Sequence, residues 1–132
     1  MLESGGSYDK ALWQGLAEMG FLGAAIPEAY GGLGLGYLEL CVIAEELGRS
    51  IAPVPVSSSI FLAAEILKAA GTEAQKQAWL SRLASGEVIG TLAAVEGLGG
   101  GRASTIKAQV SAGRLTGDKT DRKSTRLNSS HL

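Results

Sequence analysis

Four segments with helical periodicity fill most of the first 86 residues, and a glycine follows each of them. A glycine just past a helix end adopts the left-handed backbone that terminates helices at low cost. Four such helices predict a compact antiparallel bundle. The predicted helices run from about Ser7 to Met19, from Tyr37 to Leu47, from Ser59 to Ala70 and from Thr72 toward Gly86.

Local signals support these helix boundaries. Ser7 is expected to cap the first helix, and Thr72 with Gln75 forms a capping box for the fourth. The second helix is apolar from Leu40 to Ala44, which predicts burial between neighbouring helices. Cys41 is therefore expected to be a packed small side chain rather than a nucleophile.

The periodicity changes after Gly86. The stretch "EVIGTLAAV" is partly β-branched and bounded by glycines, which predicts a mostly buried strand. "TIKAQV" alternates apolar and polar residues, and "SAGR" followed by "LTG" predicts a turn and a return strand. The predicted fold class is mainly α. An antiparallel helical bundle spans residues 1–86, and the first strands of a truncated β-domain span 87–120.

Composition excludes several classes of function. The net charge of −1 offers no basic surface for nucleic acid. The longest uncharged stretch is about 15 residues and contains two prolines, whereas a membrane span needs about 20 apolar residues. No secretory signal pattern opens the sequence, and the single cysteine fits a reducing compartment, so we expect a cytoplasmic protein.

The last residues have a different character. "DRKSTRLNSSH" is polar and shows neither helical nor strand periodicity. It resembles the translated read-through of a sequencing-library adapter. Residues 121–132 are therefore expected to be non-native, the alternative being a natural unstructured tail. Excluding them removes His131, the one histidine, so no histidine-based triad or metal site is predicted.

The glycine-rich stretch "IPEAYGGLGLG", from Ile26 to Gly36, raises the question of phosphate binding. A P-loop requires a lysine after its glycines, and a dinucleotide fingerprint requires G-x-G-x-x-G between a strand and a helix. This stretch has no lysine, and it follows a helix with the pattern G-x-G-x-G. The glycines are therefore expected to shape a sharp turn between helices.

Three blocks carry a resemblance to a known family. "GFLGAAIPEAYGGLG", the helix end "EELGR" and "GTEAQKQAWLSRLASGE" resemble, in this order, the N-terminal domain of the acyl-CoA dehydrogenase family. The resemblance runs from about Leu12 to Thr120. It implies a helical domain followed by a middle β-domain and a C-terminal helical bundle, of which this sequence would contain the first and the beginning of the second.

The resemblance implies an oxidoreductase that uses FAD to introduce an α,β double bond into an acyl-CoA thioester. In this family a carboxylate removes the α-proton while the flavin N5 accepts a hydride from the β-carbon. That base lies in the C-terminal domain, so no catalytic residue is assigned here. Glu96 matches a different acidic residue and is expected to form a salt bridge or a loop contact. The full-length protein is expected to be a homo- or hetero-oligomer.

The flavin-facing motif departs from the family pattern T-E-P-x-A-G-S-D. This sequence has "VEGLGGGR", which places Val95 at the usual threonine, Gly101 at the usual serine and Arg102 at the aspartate. The predicted cofactor-binding residues are Leu92, Ala94, Val95 and Gly101, the first three through backbone N–H groups. The changed loop leaves a second hypothesis open, a non-catalytic partner subunit or interaction module.

Overall fold

The computed structural model describes residues 8–96, 104 and 106–119. The chain divides into two compact units, Met1–Thr91 and Leu92–Leu132. The first unit is helical and contains both hydrophobic clusters, and the second contains a short hairpin. The predicted tail, residues 121–132, lies outside the described residues.

In its described part, residues 8–91, the helical unit has four α-helices and three helical segments of other types. The α-helices are α1 (Lys10–Glu18), α2 (Tyr37–Arg49), α3 (Glu65–Ala70) and α4 (Glu73–Ala84). Two 3-10 turns, Phe21–Gly23 and Glu28–Tyr30, lie between α1 and α2. A π-helical segment, Ser57–Ala64, continues directly into α3. The prediction of a mainly helical fold with short strands is confirmed.

Helix capping agrees with the sequence at α4 and differs at α1. Gln75 N–H donates to Thr72 Oγ1 at 3.3 Å, and Thr72 N–H donates to Gln75 Oε1 at 2.9 Å, which confirms the capping box. At α1 the cap is Asp9, whose Oδ1 accepts from Leu12 N–H at 2.9 Å. Ser7 lies outside the described residues, and its prediction as the cap was wrong because the helix begins at Lys10 with Asp9, an equally good acceptor, directly before it.

The predicted end of α2 was also wrong. The helix continues through Gly48 to Arg49, which forms ion pairs with Glu45 at 3.0 Å and Glu46 at 3.4 Å. Gly48 has no neighbouring atom that requires a glycine, and an exposed glycine inside a helix costs only about 1 kcal/mol. Cationic Arg49 also interacts favourably with the carboxyl end of the helix dipole.

The described residues form two core clusters, with members from α1, α2, α4, the π-helical segment and the chain between α1 and α2. Trp13 is buried and donates its indole N–H to Gly86 O at 2.9 Å, which ties α1 to the end of α4. The first cluster contains Trp13, Leu16, Leu22, Ala24, Ala25, Leu40, Val56 and Ile60. The second contains Ile26, Ala64, Leu80, Leu83 and Ala84.

The burial predicted for α2 was wrong. Within this helix, all of which the structure describes, Leu40 alone is buried. Leu38 is 75% exposed and Val42 is 56% exposed, and Cys41 is exposed rather than packed. An apolar composition shows that a helix face needs a partner, but it does not show that the partner lies within this chain.

Among the described residues of the second unit, two short strands form an antiparallel hairpin. Strands β1 (Gln109–Ser111) and β2 (Arg114–Thr116) pair with Val110 opposite Leu115, around a turn at residues 112–113, so the predicted turn and return strand are confirmed. Both strands are exposed along their lengths. The strand predicted over residues 87–95 was wrong: no strand is assigned there, since no described strand pairs with this segment.

Candidate functional site

The backbone N–H groups of the glycine-rich loop already form hydrogen bonds within the helical unit. The N–H groups of residues 30–36 all donate to acceptors of the same unit, at 2.8–3.2 Å. The acceptors are Pro27 O for Tyr30 and Gly32, Glu28 O for Gly31, Gly23 O for Leu33, Ile26 O for Gly34, Ala24 O for Leu35, and Glu39 Oε2 for Gly36. A phosphate at this loop would therefore have to displace hydrogen bonds that the fold already makes.

A glycine is required at Gly32 because the chain folds back on itself there. A Cβ at this position would overlap the carbonyl oxygen of Ile26 and approach the Ile26 side chain. Gly31 and Gly34 have φ values of +79° and +64°, the left-handed region that other residues rarely adopt. This geometry confirms that the glycines serve a tight turn.

Two side chains of α3 contact the residues on either side of this loop, Ala25 before it and Tyr37 after it. Lys68 Nζ donates to Ala25 O at 2.8 Å and pairs with Glu65 at 2.7 Å. Glu65 in turn accepts from the Tyr37 hydroxyl at 2.8 Å, and this hydrogen bond raises the pKa of Tyr37. This cluster was not predicted from the sequence, although the spacing of Glu65 and Lys68, one helical turn apart, was a signal for their pairing.

The predicted cofactor residues stand in a segment without regular secondary structure, residues 91–96. Leu92 is 38% exposed, and Ala94 and Val95 are half-buried. In the part of the chain that the structure describes, the N–H groups of Leu92, Ala93 and Ala94 donate to no acceptor. Gly101, the fourth predicted residue, lies outside the described residues. The assignment of all four as cofactor contacts stays a prediction.

Glu96 is committed to structural hydrogen bonds in the second unit. Its Oε1 pairs with Lys119 Nζ at 2.7 Å and accepts from Ala108 N–H at 3.0 Å, and its Oε2 accepts from Lys107 N–H. The hydrogen bond from Lys119, followed by that from Lys107, lowers the pKa of Glu96 to about 2. A carboxylate with so low a pKa is a poor base. The ion pair with Lys119 and the backbone hydrogen bonds confirm the predicted role of Glu96, a salt bridge or a loop contact.

The described residues, 8–96, 104 and 106–119, contain neither a metal-binding group nor a membrane-spanning helix. Across these residues no group of three His, Cys, Asp or Glu side chains is arranged to hold a metal ion. Among the helices of the same ranges, none combines the length and the apolar character that crossing a bilayer requires.

Comparison with known proteins places this geometry in a family. The model of the acyl-CoA dehydrogenase N-terminal domain matches residues 1–87. The chain is 46% identical over 79 residues to (2S)-methylsuccinyl-CoA dehydrogenase of Cereibacter sphaeroides, covering 59% of this chain and 14% of that protein. It is 39% identical over 104 residues to mitochondrial isovaleryl-CoA dehydrogenase of Solanum tuberosum, covering 77% and 25%.

A solved structure agrees with the sequence relatives. The chain superposes on a chain of the ChsE4–ChsE5 complex from Mycobacterium tuberculosis with a TM-score of 0.71 and 36% identity, covering 83% of this chain and 30% of that one. The chain thus spans less than a third of the length of each of these three proteins. The family match covers the helical unit nearly completely, and the chain therefore belongs to the acyl-CoA dehydrogenase family, as a counterpart of its N-terminal domain.

Proposed function

We propose that the chain is the N-terminal part of an FAD-dependent acyl-CoA dehydrogenase that introduces an α,β double bond into an acyl-CoA thioester. Relatives named as dehydrogenases of acyl-CoA thioesters support this activity. The observation that carries the proposal is the set of unpartnered N–H groups at Leu92, Ala93 and Ala94, within the described residues. They follow directly after the helical unit, where the family resemblance predicts contact with the flavin.

The chain's own contribution is to bind and orient the cofactor. The carbonyl and ring-nitrogen edge of an isoalloxazine accepts hydrogen bonds, which matches backbone donors at Leu92 and Ala94. When bound, the flavin supplies the hydride acceptor. Val95 offers no hydroxyl at the position of the family's threonine, so that one hydrogen bond, worth about 1 kcal/mol, is absent. The catalytic base belongs to a later part of the longer protein.

The exposed apolar face of α2 supports a larger assembly. Tyr37, Leu38 and Val42 are each more than half exposed, a set that packing against further protein would bury. We therefore propose that the longer protein forms homo- or hetero-oligomers. Following the family resemblance, we also propose that residues 1–86 form the N-terminal domain and that residues 87–120 begin a middle β-domain.

A second candidate function follows from Val95. An apolar residue at the expected flavin-contact threonine favours a non-catalytic partner subunit of a mixed oligomer. The two candidates differ in the longer protein: the enzyme requires a carboxylate base and a complete flavin site, and the partner subunit requires neither.

The test is the visible absorbance of the purified full-length protein. The enzyme proposal predicts a yellow protein that loses its colour and gains apoprotein fluorescence when the flavin is stripped. A folded, colourless full-length protein that takes up no added FAD would contradict it and favour the partner subunit. The 132-residue chain is expected to show no measurable affinity for FAD by itself.

A matched pair of variants tests the backbone contact directly. Ala94→Pro removes the N–H group at this position, whereas Ala94→Gly keeps it. In the full-length protein, Ala94→Pro is expected to weaken FAD binding about tenfold more than Ala94→Gly, the value of one well-placed hydrogen bond. Equal affinities of the two variants would exclude this N–H group from flavin binding.

The compartment is a separate proposal. The sequence predicts a cytoplasmic protein, whereas a relative from Solanum tuberosum is mitochondrial by name. Expression of the full-length gene with a fluorescent tag, followed by fractionation, distinguishes the two compartments.

A further inference from the structure

Ser59 is a buried polar residue within the apolar π-helical segment. Its side chain is fully buried, and its Oγ accepts a hydrogen bond of 3.1 Å from the N–H of Gly90, 31 residues later. Burying a hydroxyl is unfavourable unless a hydrogen bond compensates for the lost water contacts. The arrangement therefore links the π-helical segment to the backbone at one defined point.

Gly90 also touches the π-helical segment through a second contact. A Cβ on Gly90 would lie 2.5 Å from Ala63 Cβ and 3.2 Å from Leu83 Cδ2, so only a glycine allows this approach. Ser59 and Ala63 are four residues apart in the same segment, and together they hold Gly90 by a hydrogen bond and by a close contact. We name Ser59, Ala63 and Gly90 the exit latch.

We propose that Ser59 is a positioning residue for flavin binding, acting through the exit latch. Gly90 stands two residues before Leu92, so the latch fixes the point at which the chain leaves the helical unit, just ahead of the predicted flavin-contact backbone. Backbone donors bind a ring edge only within a narrow range of distance and angle. A displaced Gly90 therefore weakens flavin binding even when the helical core stays packed. This inference rests on the proposed function.

The first experiment measures the latch without flavin, in the 132-residue chain. Ser59→Ala is compared with Ser57→Ala, an exposed serine of the same segment. Ser59→Ala is expected to accelerate amide hydrogen exchange at Gly90 about tenfold and to shift the NMR resonances of the amides from Leu92 to Ala94. Ser57→Ala is expected to change neither.

The second experiment measures FAD affinity in the full-length protein. Ser59→Ala is expected to weaken binding at least about fivefold, whereas Leu16→Ala, which creates a cavity elsewhere in the same unit, leaves the affinity of the folded protein unchanged. Gly90→Ala should weaken binding as well, and adding Ala63→Gly should restore part of it by making room for the new methyl group. A general loss of stability would not produce this rescue.

The outcomes separate the latch from the flavin assignment. Unchanged amide resonances from Leu92 to Ala94 in Ser59→Ala would overturn the latch, whatever the flavin affinity is. Shifted amides with unchanged FAD affinity would overturn the positioning role. Absence of FAD binding by the unmodified full-length protein would refute the proposed function, and the amide data would still decide whether Ser59 fixes the exit of the chain.

Discussion

The glycine-rich loop and the segment 91–96 are the two backbone stretches whose sequence or family resemblance suggests a cofactor contact, and their amide groups differ. From Tyr30 to Gly36 every N–H group donates to an acceptor of the same unit. At Leu92, Ala93 and Ala94 the N–H groups donate to no acceptor within the described residues.

This difference shows that glycine content does not identify a binding site. A loop that closes a tight turn needs glycines for its backbone angles and uses its donors to hold the turn. A segment that binds a flexible or planar ligand through its backbone must instead keep its donors free. Within the described residues, the N–H groups that donate to no acceptor are those of Leu92, Ala93 and Ala94, a stretch that no glycine pattern marks.

The largest effect is expected from Gly32→Ala. The new Cβ overlaps the Ile26 carbonyl oxygen, so the loop must shift, and the free energy of unfolding should fall by about 2–4 kcal/mol. Urea unfolding of the 132-residue chain measures this loss. Gly15→Ala is the matched control: no atom lies near its Cβ, and alanine inside α1 should stabilise by about 0.5–1 kcal/mol. Equal effects of the two substitutions would refute the tight-turn interpretation.

A smaller effect concerns Glu96 and pH. Its pKa is lowered from 4.5 to about 2 by Lys119 and the backbone donors, so its ionised form stabilises the folded second unit. That stabilisation is fully present above about pH 4.5 and is lost as pH falls toward 2. Glu96→Gln should abolish most of this pH dependence in the amide exchange of residues 107 and 108.

Asp118→Asn is the control for Glu96, since the structure assigns Asp118 no ion pair in the described part of the chain. Its substitution should leave the pH dependence intact. A carboxyl carbon of Glu96 that titrates by NMR near 4.5 in the unmodified chain would contradict the arrangement.

The smallest effect is expected from Val95→Thr in the full-length protein. The substitution restores the hydroxyl that the family usually presents to the flavin, and the gain of about 1 kcal/mol corresponds to roughly fivefold tighter FAD binding. Equilibrium titration of the flavin-free protein measures it. Unchanged affinity would show that the segment contacts the flavin by its backbone alone, or that Val95 stands away from it.

Sequence periodicity was sufficient for the helices, whose signals are local. The capping box at Thr72, the hairpin turn and the structural role of the glycines follow from neighbours within a few residues. The exposure of α2 could not be predicted from periodicity, because burial depends on which other elements pack against the helix face. The residue at which a helix ends also depends on weak surface ion pairs, such as that of Arg49 with Glu45. The energy of such a pair is close to the energy difference between ending the helix at one residue or at the next.

The family resemblance directed attention to residues 92–95, whose role in cofactor binding stays a prediction. It also matched Glu96 to an acidic residue that is not the base, and the structure shows the expected ion pair. The Ser59–Gly90 hydrogen bond was not predicted because its partners are 31 residues apart and neither belongs to a motif. A serine in an apolar helical segment was the available signal, since a buried hydroxyl needs a partner.

Amide hydrogen exchange of the flavin-free and FAD-loaded full-length protein tests the central claim most directly. The claim is that the N–H groups of Leu92 and Ala94 donate to the flavin and that those of the glycine-rich loop do not. FAD should protect the amides of Leu92 and Ala94 strongly and leave those of Leu33, Gly34 and Leu35, already protected, unchanged. Protection that appears at the loop, with no change from Leu92 to Ala94, would contradict the account.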